Sequence, residues 1–460
     1  MGSRRPLFGQ FRRLHFIGIG GIGMSGIAEI LLNKGFQVTG SDLSSSGITD
    51  NLASLGATIF NGHKASHVHG ADAVVYTSAL QPDNPELVEA QRLKIPVIRR
   101  AEMLAELMRM KSGIGIAGTH GKTTTTSMVG MVLTEGQLDP TVIVGGVVNN
   151  FNSNAKVGQG DFIVVEADEF DRSFLKLTAT IAVITNIEEE HLDIYTTGLA
   201  EIQDAFVQFA NTVPFYGLVV CCLDEPHVQS ILPRISRRVL TYGFSNQADL
   251  RAFDVEVDGA TTTFRVEYRK KELGSIKLQL PGMHNVKNAL AAIGVGLELE
   301  VPFPSIAAGL EKLGGIGRRF QIRYDKDFMV VDDYAHHPSE VAATLRAAKS
   351  GWKNRRIVSV FQPHLYSRTR DFHEEFGRVF LESDVVLVTD VYGSRETPIE
   401  GVTAALVVDS ASMFGHRQIR HVPKADLIST VQSVCEPGDV LIFMGAGDIS
   451  KLCANWVAGL

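Results

Sequence analysis

The chain has 460 residues, of which 45% are hydrophobic and 21% are charged, a balance typical of a water-soluble globular protein. Its net charge of -7 argues against a broad basic surface, and no long apolar run follows the N-terminal arginines, so we expect no nucleic-acid partner and no membrane span. The four cysteines form no C-x-x-C pair, so we expect free thiols in a cytoplasmic protein.

The first informative segment is a glycine-rich turn, Gly18 to Gly23, between a strand predicted over 14–19 and a helix predicted over 24–33. Its G-x-G-x-x-G spacing is typical of a loop that places a diphosphate at a helix N-terminus. Asp42 follows the next predicted strand and is spaced to contact sugar or base hydroxyls. NAD and a UDP-sugar fit this pattern equally well, and a tight turn without ligand, with Asp42 as a helix cap, is the alternative.

Short apolar strands alternate with helical stretches up to about residue 107 of the chain. This alternation predicts a parallel, doubly wound sheet in a first α/β domain. The predicted strands lie at 14–19, 36–40, 58–60, 73–77 and 97–98.

A second glycine-rich loop, GTHGKTTTT, lies between an apolar strand predicted over 114–117 and a helix predicted over 127–134. Its glycines let backbone N–H groups approach a polyphosphate, while Lys122 would contact the terminal phosphates and Thr123 would contact Mg²⁺. The strict P-loop pattern has glycine where Ile116 stands, so the loop is a variant, and a plain strand–helix turn is the alternative. The candidate phosphate-binding residues, which the family resemblance described below assigns to ATP, are Gly118, Thr119, His120, Gly121, Lys122, Thr123 and Thr124.

Acidic residues follow two further predicted strands of this second α/β unit. The strand 162–166 ends in Glu166 and continues into the acidic run 167–171, whereas the strand 181–185 is followed by a segment that contains His191. Carboxylates at the ends of strands beside a phosphate loop are placed to bind Mg²⁺, which favours Glu166 as a ligand. His191 could bind a second metal ion, although a lone histidine is more often a structural hydrogen-bond partner.

The pattern changes between residues 251 and 280, where apolar and polar residues alternate on both sides of Asp258-Gly259. This alternation predicts a β-hairpin within a β-rich extension. The following helix, predicted over 285–299, carries Asn285 and Asn288 on one face. Paired amides can bind a purine edge, although N-capping by Asn285 is the favoured alternative from the residues alone.

A glycine-rich linker, 314–317, leads into a third α/β unit. Arg318 and Arg319 lie at this linker, and Arg368 and Arg370 follow a predicted strand. Guanidinium groups bind carboxylates and other anions bidentately, so an anion site and ordinary surface arginines are both open here. The strands predicted for this unit lie at 328–332, 357–361, 385–389 and 440–444.

Taken in order, nine segments of the chain resemble the Mur ligase family, and the resemblance covers nearly the whole sequence. They are HFIGIGGIGMSGIAEIL, GTHGKTTTT, EADEFDRSFL, ITNIEEEHLD, GMHNVKNALAAI, GIGRRFQ, DDYAHHPSEV, FQPHLYSRTRDF and GAGDISK. The resemblance implies three consecutive α/β domains. These are a Rossmann-like UDP-sugar domain over 1–110, a P-loop-type ATPase domain with a β-rich extension over 111–316, and a Rossmann-like amino-acid-binding domain over 317–460.

The resemblance also implies the activity. We expect a ligase that uses ATP and Mg²⁺ to join L-alanine to the carboxylate of UDP-N-acetylmuramate through an acyl phosphate, in peptidoglycan precursor synthesis. A murein-tripeptide recycling ligase of the same family is the alternative. A nicotinamide-dependent dehydrogenase would leave the Lys122 loop unexplained, and a nucleotide-gated scaffold protein without catalysis is the third possibility.

The family pattern further implies roles for individual residues of this sequence. The catalytic residues would be Lys122, His191 and Arg319, and the metal ligands would be Thr123, Glu166 and His191. Beyond the phosphate loop, the residues that contact ATP would be His284, Asn285, Asn288, Arg319 and Asp333. The residues that contact the sugar nucleotide or the amino acid would be Gly20, Asp42, Ser78, Tyr334, His336 and Arg368.

Overall fold

The protein is described by a computed structural model over residues 8–77, 80–148, 150, 153–170, 172–190, 194–394 and 396–460. Two predicted site residues, Ser78 and His191, lie outside the described residues. No helix within those ranges combines the length and the apolar character needed to cross a membrane. By contacts the chain divides into one unit of Met1–Phe253, Val266–Gly274 and Lys287–Leu313, and a second of Asp254–Arg265, Ser275–Val286 and Gly314–Leu460.

The first sheet is parallel and doubly wound, as the sequence predicts. Its strand order is β3-β2-β1-β4-β5, with helices between successive strands. Ser46 caps α2, so the alternative that Asp42 is a helix cap is wrong. The elements are β1 Arg13–Ile17, α1 Ile22–Asn33, β2 Gln37–Asp42, α2 Gly47–Ser54, β3 Thr58–Asn61, β4 Ala73–Tyr76, α3 Pro85–Arg92, β5 Val97–Arg99 and α4 Arg100–Met108.

The second sheet is built around buried apolar strands, and its described strand order is β15-β14-β13-β12-β11-β10-β6-β9-β7-β8. The hairpin prediction is confirmed, because β13 and β14 flank Asp258-Gly259. The elements are β6 Ser112–Ala117, α5 Lys122–Glu135, β7 Thr141–Val148, β8 Ser153–Lys156, β9 Phe162–Glu166, β10 Ala179–Ile184, α6 Leu199–Thr212, β11 Leu218–Cys222, α7 Pro226–Ile231, β12 Val239–Gly243, β13 Leu250–Asp258, β14 Thr261–Tyr268, β15 Lys271–Leu278, α8 Met283–Glu298 and α9 Phe303–Glu311.

The third sheet has the order β16-β17-β21-β18-β19-β20. It is parallel except for its edge strand β16, which pairs antiparallel with β17. The elements are β16 Gln321–Asp325, β17 Met329–Asp333, α10 Pro338–Gly351, β18 Ile357–Phe361, α11 Tyr366–Val379, β19 Val385–Val388, α12 Ala405–Met413, β20 Ile419–His421, α13 Leu427–Val434, β21 Val440–Met444 and α14 Ile449–Val457.

The helices α5 and α8 begin earlier than the sequence predicts, as α1 does by two residues. The helix α5 starts at Lys122 rather than near residue 127, because Gly121 adopts a left-handed conformation at φ 82° and turns the chain directly into the helix. Lys122 and Thr123 therefore occupy the first helical turn. The helix α8 starts at Met283, which places Asn285 inside the helix, so the N-cap alternative for Asn285 is wrong.

Glu86 in the first turn of α3 is a buried carboxylate that joins several elements of the first sheet. Its side chain is fully buried and accepts hydrogen bonds from Ser41 of β2 at 2.5 Å and from His67 at 2.6 Å. His63 lies 3.3 Å away and His15 of β1 lies 3.6 Å away. Burial alone would raise the pKa of Glu86, but these partners, His15 first, outweigh it and lower the pKa to about 2.

We therefore predict that Glu86→Gln lowers the free energy of unfolding at pH 7 by roughly 2–4 kcal/mol, because the histidines lose their buried anion. The folded-state pKa lies below the ordinary value of 4.5. The stabilisation is therefore fully present above about pH 4.5 and is lost as the pH falls toward about 2. Urea unfolding at several pH values measures this stabilisation. The difference in unfolding free energy between wild type and variant should become smaller in acid.

The exposed Glu106→Gln provides the matched control, because its carboxylate lies at the surface of α4. We expect that control to change stability by less than about 0.5 kcal/mol. A Glu86→Gln protein as stable as the control at pH 7 would contradict the role assigned to Glu86.

Candidate active site

The phosphate loop between β6 and α5 has a backbone that requires its glycines. Gly118 has φ 136° and Gly121 has φ 82°, which are conformations that L side chains rarely adopt. A Cβ at Gly118 would lie 2.0 Å from Oγ1 of Thr185, and a Cβ at Gly121 would lie 2.6 Å from Oδ1 of Asn288. Both positions are therefore closed to any larger residue, which keeps the loop backbone against its neighbours.

The segment that follows β10 holds this loop in place. The N–H of Thr119 donates to the carbonyl of Asn186 at 3.1 Å, and the N–H of His120 donates to Oδ1 of Asn186 at 2.7 Å. The hydroxyl of Thr185 donates to the carbonyl of His120 at 2.6 Å. Sequence analysis did not assign Thr185 or Asn186 to the site, although both directly follow the strand that neighbours β6.

Lys122 is held on the inner side of the loop by its own chain. Its ammonium donates to the carbonyls of Gly118 at 2.8 Å and Thr119 at 3.2 Å, and lies 2.8 Å from Oε2 of Glu169. Burial alone would lower the pKa of Lys122, but the carboxylates of Glu169 and Asp168 outweigh it and raise the pKa. Lys122, whose side chain is 15% exposed, is therefore a mostly buried cation at neutral pH. Sequence analysis grouped Glu169 only with an acidic run and missed this ion pair.

Thr123 and Glu166 lie together beside Lys122. Glu166 accepts a hydrogen bond from the N–H of Gly145 at 2.5 Å and one from the side chain of Thr123, while burial raises its pKa. Parallel pairing places Glu166 opposite Ile116, at the end of β6 that leads into the loop. A hydroxyl and a carboxylate are hard oxygen donors of the kind Mg²⁺ prefers. Thr123 and Glu166, the two predicted ligands among the described residues, therefore fit this ion.

A cavity of about 330 Å³ joins the glycine turn of the first sheet to Glu166 of the second. One wall contains Gly18, Gly21, Ile22 and Gly23, whereas the other contains residues 143–145, Glu166 and Asp168. The cavity lies at the carboxyl ends of parallel strands, where ligands bind in open α/β sheets. A single ligand can therefore contact the start of α1 and the predicted metal ligand together.

Asp42 stabilises the glycine turn from within the protein. Its Oδ2 accepts the N–H of Gly20 at 2.9 Å, and its Oδ1 accepts the N–H of Leu43 at 2.8 Å. A Cβ at Gly20 would lie 2.9 Å from that same Oδ2 atom. Gly20 and Asp42 are thus neighbours in the fold, as two residues of one substrate site must be, and their predicted contact with substrate stays a prediction.

Asn154 of β8 fastens the start of α1 to the second sheet. Its buried amide donates to the carbonyl of Ile22 and, at 3.1 Å, to the hydroxyl of Ser25. Beside it, the hydroxyl of Ser153 donates to Glu29 at 3.1 Å. These contacts fix the position of the glycine turn relative to β7 and β9, and hence the two walls of the cavity.

Within the second unit, the predicted residues Arg319, Tyr334 and His336 lie together. The guanidinium of Arg319 lies 5.3 Å from the centre of the Tyr334 ring and 3.6 Å from Glu340. His336 lies 3.1 Å from the same Glu340 carboxylate. Glu340, in the first turn of α10, thus connects two predicted residues, although sequence analysis did not single it out.

Arg368 and Asp333 belong to the same unit. Arg368 lies 3.3 Å from Nδ1 of His364, whose ring centre is 5.7 Å from that of His336. Asp333 is buried and accepts the N–H groups of Phe320 at 2.6 Å and Ala335 at 2.7 Å, and burial raises its pKa. Asp333 therefore shapes the turn at the end of β17.

The adenine-side prediction concerns residues at the start of α8. The amide of Asn285 donates to the carbonyl of Pro281 at 2.8 Å. Oδ1 of Asn288 accepts the hydroxyl of Thr125 at 3.1 Å, so Asn288 supports the phosphate loop through α5. For His284 the structure gives its position as the second residue of α8. The adenine contacts of these residues stay predictions.

Models of three Mur ligase domains match the chain: the Mur ligase family catalytic domain at 13–112, the middle domain at 116–296 and the glutamate ligase domain at 318–447. The UDP-N-acetylmuramate–L-alanine ligase of Salinibacter ruber is 55% identical over 456 residues, covering 98% of this chain and 96% of that protein. The solved structure of UDP-N-acetylmuramate-alanine ligase MurC from Thermotoga maritima has a TM-score of 0.82 and 30% identity, covering 97% of this chain and 98% of that one. A murein peptide ligase from Psychrobacter arcticus shares the fold with a TM-score of 0.72 at 23% identity, covering 98% and 99%.

We predict that Asn154→Ala destabilises the protein by about 1–3 kcal/mol, because the Ile22 carbonyl and the buried Ser25 hydroxyl lose their shared donor. Urea unfolding at pH 7 measures the loss. Asn33→Ala is the matched control, since the Asn33 amide also donates to a carbonyl of α1 but lies at an exposed position. We expect the control to stay within about 0.5 kcal/mol of wild type. Equal stabilities of the two variants would show that Asn154 does not fasten α1.

Proposed function

The chain belongs to the Mur ligase family, and we propose that it is an ATP-dependent ligase that joins L-alanine to the carboxylate of UDP-N-acetylmuramate in peptidoglycan precursor synthesis. The observation that carries the proposal is the cavity that joins the glycine turn to Glu166 beside Lys122. Such a cavity can place the carboxylate of a bound sugar nucleotide next to a bound phosphoryl donor. The 55% identical alanine ligase, aligned over 98% of the chain, supports alanine as the amino acid.

We further propose the division of labour predicted from the sequence. Residues 1–110 bind the UDP-sugar, residues 111–316 bind ATP, and residues 317–460 bind the amino acid. The N-terminus of α1 attracts the diphosphate of the sugar nucleotide through its free N–H groups and helix dipole. The muramoyl carboxylate then lies in the cavity on the side of Glu166.

The phosphate loop binds the triphosphate of ATP through its backbone N–H groups and Lys122. The Lys122 ammonium contacts loop carbonyls and Glu169, and a phosphate bound in the loop would compete with Glu169 for this cation. Thr123 and Glu166, with His191 as a further predicted ligand, would hold Mg²⁺, which supplies charge screening for the phosphates. The predicted ATP contacts of Arg319, Asp333, His284 and Asn285 belong to the same proposal.

The reaction needs activation because a carboxylate oxygen is a poor leaving group and its charge repels another anion. A muramoyl carboxylate oxygen attacks the γ-phosphorus of ATP, which yields an acyl phosphate and ADP. The uncharged amine of alanine then attacks the acyl carbon, the carbonyl bond reforms, and inorganic phosphate leaves as the amine loses its proton. Lys122 stabilises the negative charge on the transferred group, and the two walls of the cavity orient the reactants.

The recycling ligase and the dehydrogenase are weaker alternatives. The murein peptide ligase of Psychrobacter arcticus is 23% identical, a level that supports the shared fold only. A dehydrogenase uses the glycine turn but gives no role to the buried Lys122 beside a phosphate loop. Free thiols and the cytoplasmic substrates of the proposed reaction support a cytoplasmic location, and the buried Cys221, Cys222 and Cys453 agree with that proposal.

We predict that ADP release requires UDP-N-acetylmuramate and L-alanine together. A coupled ADP assay with each substrate omitted in turn measures this dependence, and mass spectrometry identifies the UDP-N-acetylmuramoyl-alanine product. Equal ATP hydrolysis without the sugar acid would contradict the ligase assignment. Product formation with a tripeptide in place of alanine would favour the recycling ligase.

We predict that Lys122→Ala lowers kcat at least about a hundredfold, because the transferred phosphoryl group loses its buried cation. Lys312→Ala is the matched control, since Lys312 lies at the surface and pairs with Glu135 at the far end of α5. The control should retain wild-type kcat. Near-normal turnover of a folded Lys122→Ala enzyme would overturn the role of Lys122.

A further inference from the structure

Arg100 lies in the cavity beside the glycine turn, although the sequence motifs do not point to it. It is the first residue of α4, directly after β5, and it is partly buried. Arg100 lines the same cavity as Gly18, Gly23 and Glu166. Its side chain therefore reaches the place where the sugar-nucleotide substrate is proposed to bind.

The side chain of Arg100 occupies space that Gly23 leaves free. A Cβ at Gly23 would lie 3.0 Å from a terminal nitrogen of Arg100 and 3.2 Å from its Cδ. Gly23 lies within α1 and is absent from the residues with positive φ, so its backbone conformation does not require glycine. Since glycine is less favourable than alanine within a helix, the close approach of Arg100 gives a physical reason for glycine at this position.

The side chain of Arg100 makes no hydrogen bond or ion pair to any residue in the described part of the chain. Its neighbour Arg99, by contrast, donates to Tyr76. Two carboxylates, Glu166 and Asp168, line the cavity too, yet neither pairs with Arg100. A partly buried guanidinium that has no partner among the described residues is arranged for an anionic ligand, because its five donors match phosphate and carboxylate oxygens.

We propose that Arg100 is a substrate-binding residue that contacts the diphosphate of the sugar nucleotide. The inference rests on the proposed function and adds a specific residue to it. Its guanidinium lies against the first turn of α1, where the free N–H groups of the helix attract a diphosphate. The substrate carboxylate belongs at the other wall, beside Glu166. Arg100 and the start of α1 thus bind the same phosphates, one with a full charge and the other with backbone dipoles.

The test is titration calorimetry of the full chain with UDP and with uridine, in the presence of Mg²⁺ and a saturating non-hydrolysable ATP analogue. We expect Arg100→Gln to weaken UDP binding about tenfold to a hundredfold, as for the loss of a charge-assisted contact, and to leave uridine binding within about twofold. Arg100→Lys, which keeps the charge but loses the bidentate geometry, should fall between wild type and Arg100→Gln. Arg109→Gln, at the exposed far end of α4, should bind UDP as wild type does.

Three results would overturn the inference, and they have different meanings. If wild type prefers UDP to uridine and Arg100→Gln keeps that preference, the diphosphate binds in the turn without Arg100, and the proposed function stands. If wild type binds UDP and uridine equally, no diphosphate site exists at the turn, and the proposed position of the substrate fails with it. An equal loss for UDP and uridine would show that Arg100 acts on the fold of the site rather than on the diphosphate.

Discussion

The site depends on the parallel pairing of three adjacent strands, β10, β6 and β9. Parallel neighbours end at the same edge of a sheet, and the register here sets Ala117 beside Ile184 and Ile116 beside Glu166. Thr185, which follows β10, and Glu166, which ends β9, are therefore brought to the phosphate loop by backbone hydrogen bonds. Close contact between Gly118 and Thr185 then fixes the loop itself. The groups proposed to bind the ligand are thus held in position by the fold itself, without any contact from a ligand.

Much of this arrangement can be predicted from the sequence, because it depends on local patterns. Alternating apolar segments predict the parallel first sheet, and Asp258-Gly259 between two alternating runs predicts the hairpin. The Gly118–Thr126 loop after an apolar strand predicts the phosphate site, and the confirmed position of Glu166 at a strand end beside it follows from the rule for parallel sheets. The strands β8 and β16 escaped prediction because they are short and lie at sheet edges, and the interior strand β12 escaped it because Thr241 interrupts its apolar run.

The side-chain partnerships could not be predicted, because they join residues that are far apart in the sequence. Lys122 pairs with Glu169, Asn154 binds the carbonyl of Ile22, and Glu86 binds His15, Ser41 and His67. Each residue has an ordinary local pattern, and its significance appears only when folding brings the partner near. Asn186 is a further example. Its amide oxygen accepts the N–H of His120 in the loop, and sequence analysis did not identify this contact.

The contact of Arg100 with the space above Gly23 has an evolutionary meaning as well as a chemical one. These two positions share a single volume, so a methyl group gained at one must be matched by shortening or displacement at the other. We expect substitutions at the two positions to be interdependent across homologous enzymes. A larger residue at position 23 should be tolerated only where residue 100 has a shorter side chain or one that points elsewhere. The third glycine of the G-x-G-x-x-G motif is in this sense one half of a pair whose other half follows β5, two strands away from β1 in the first sheet.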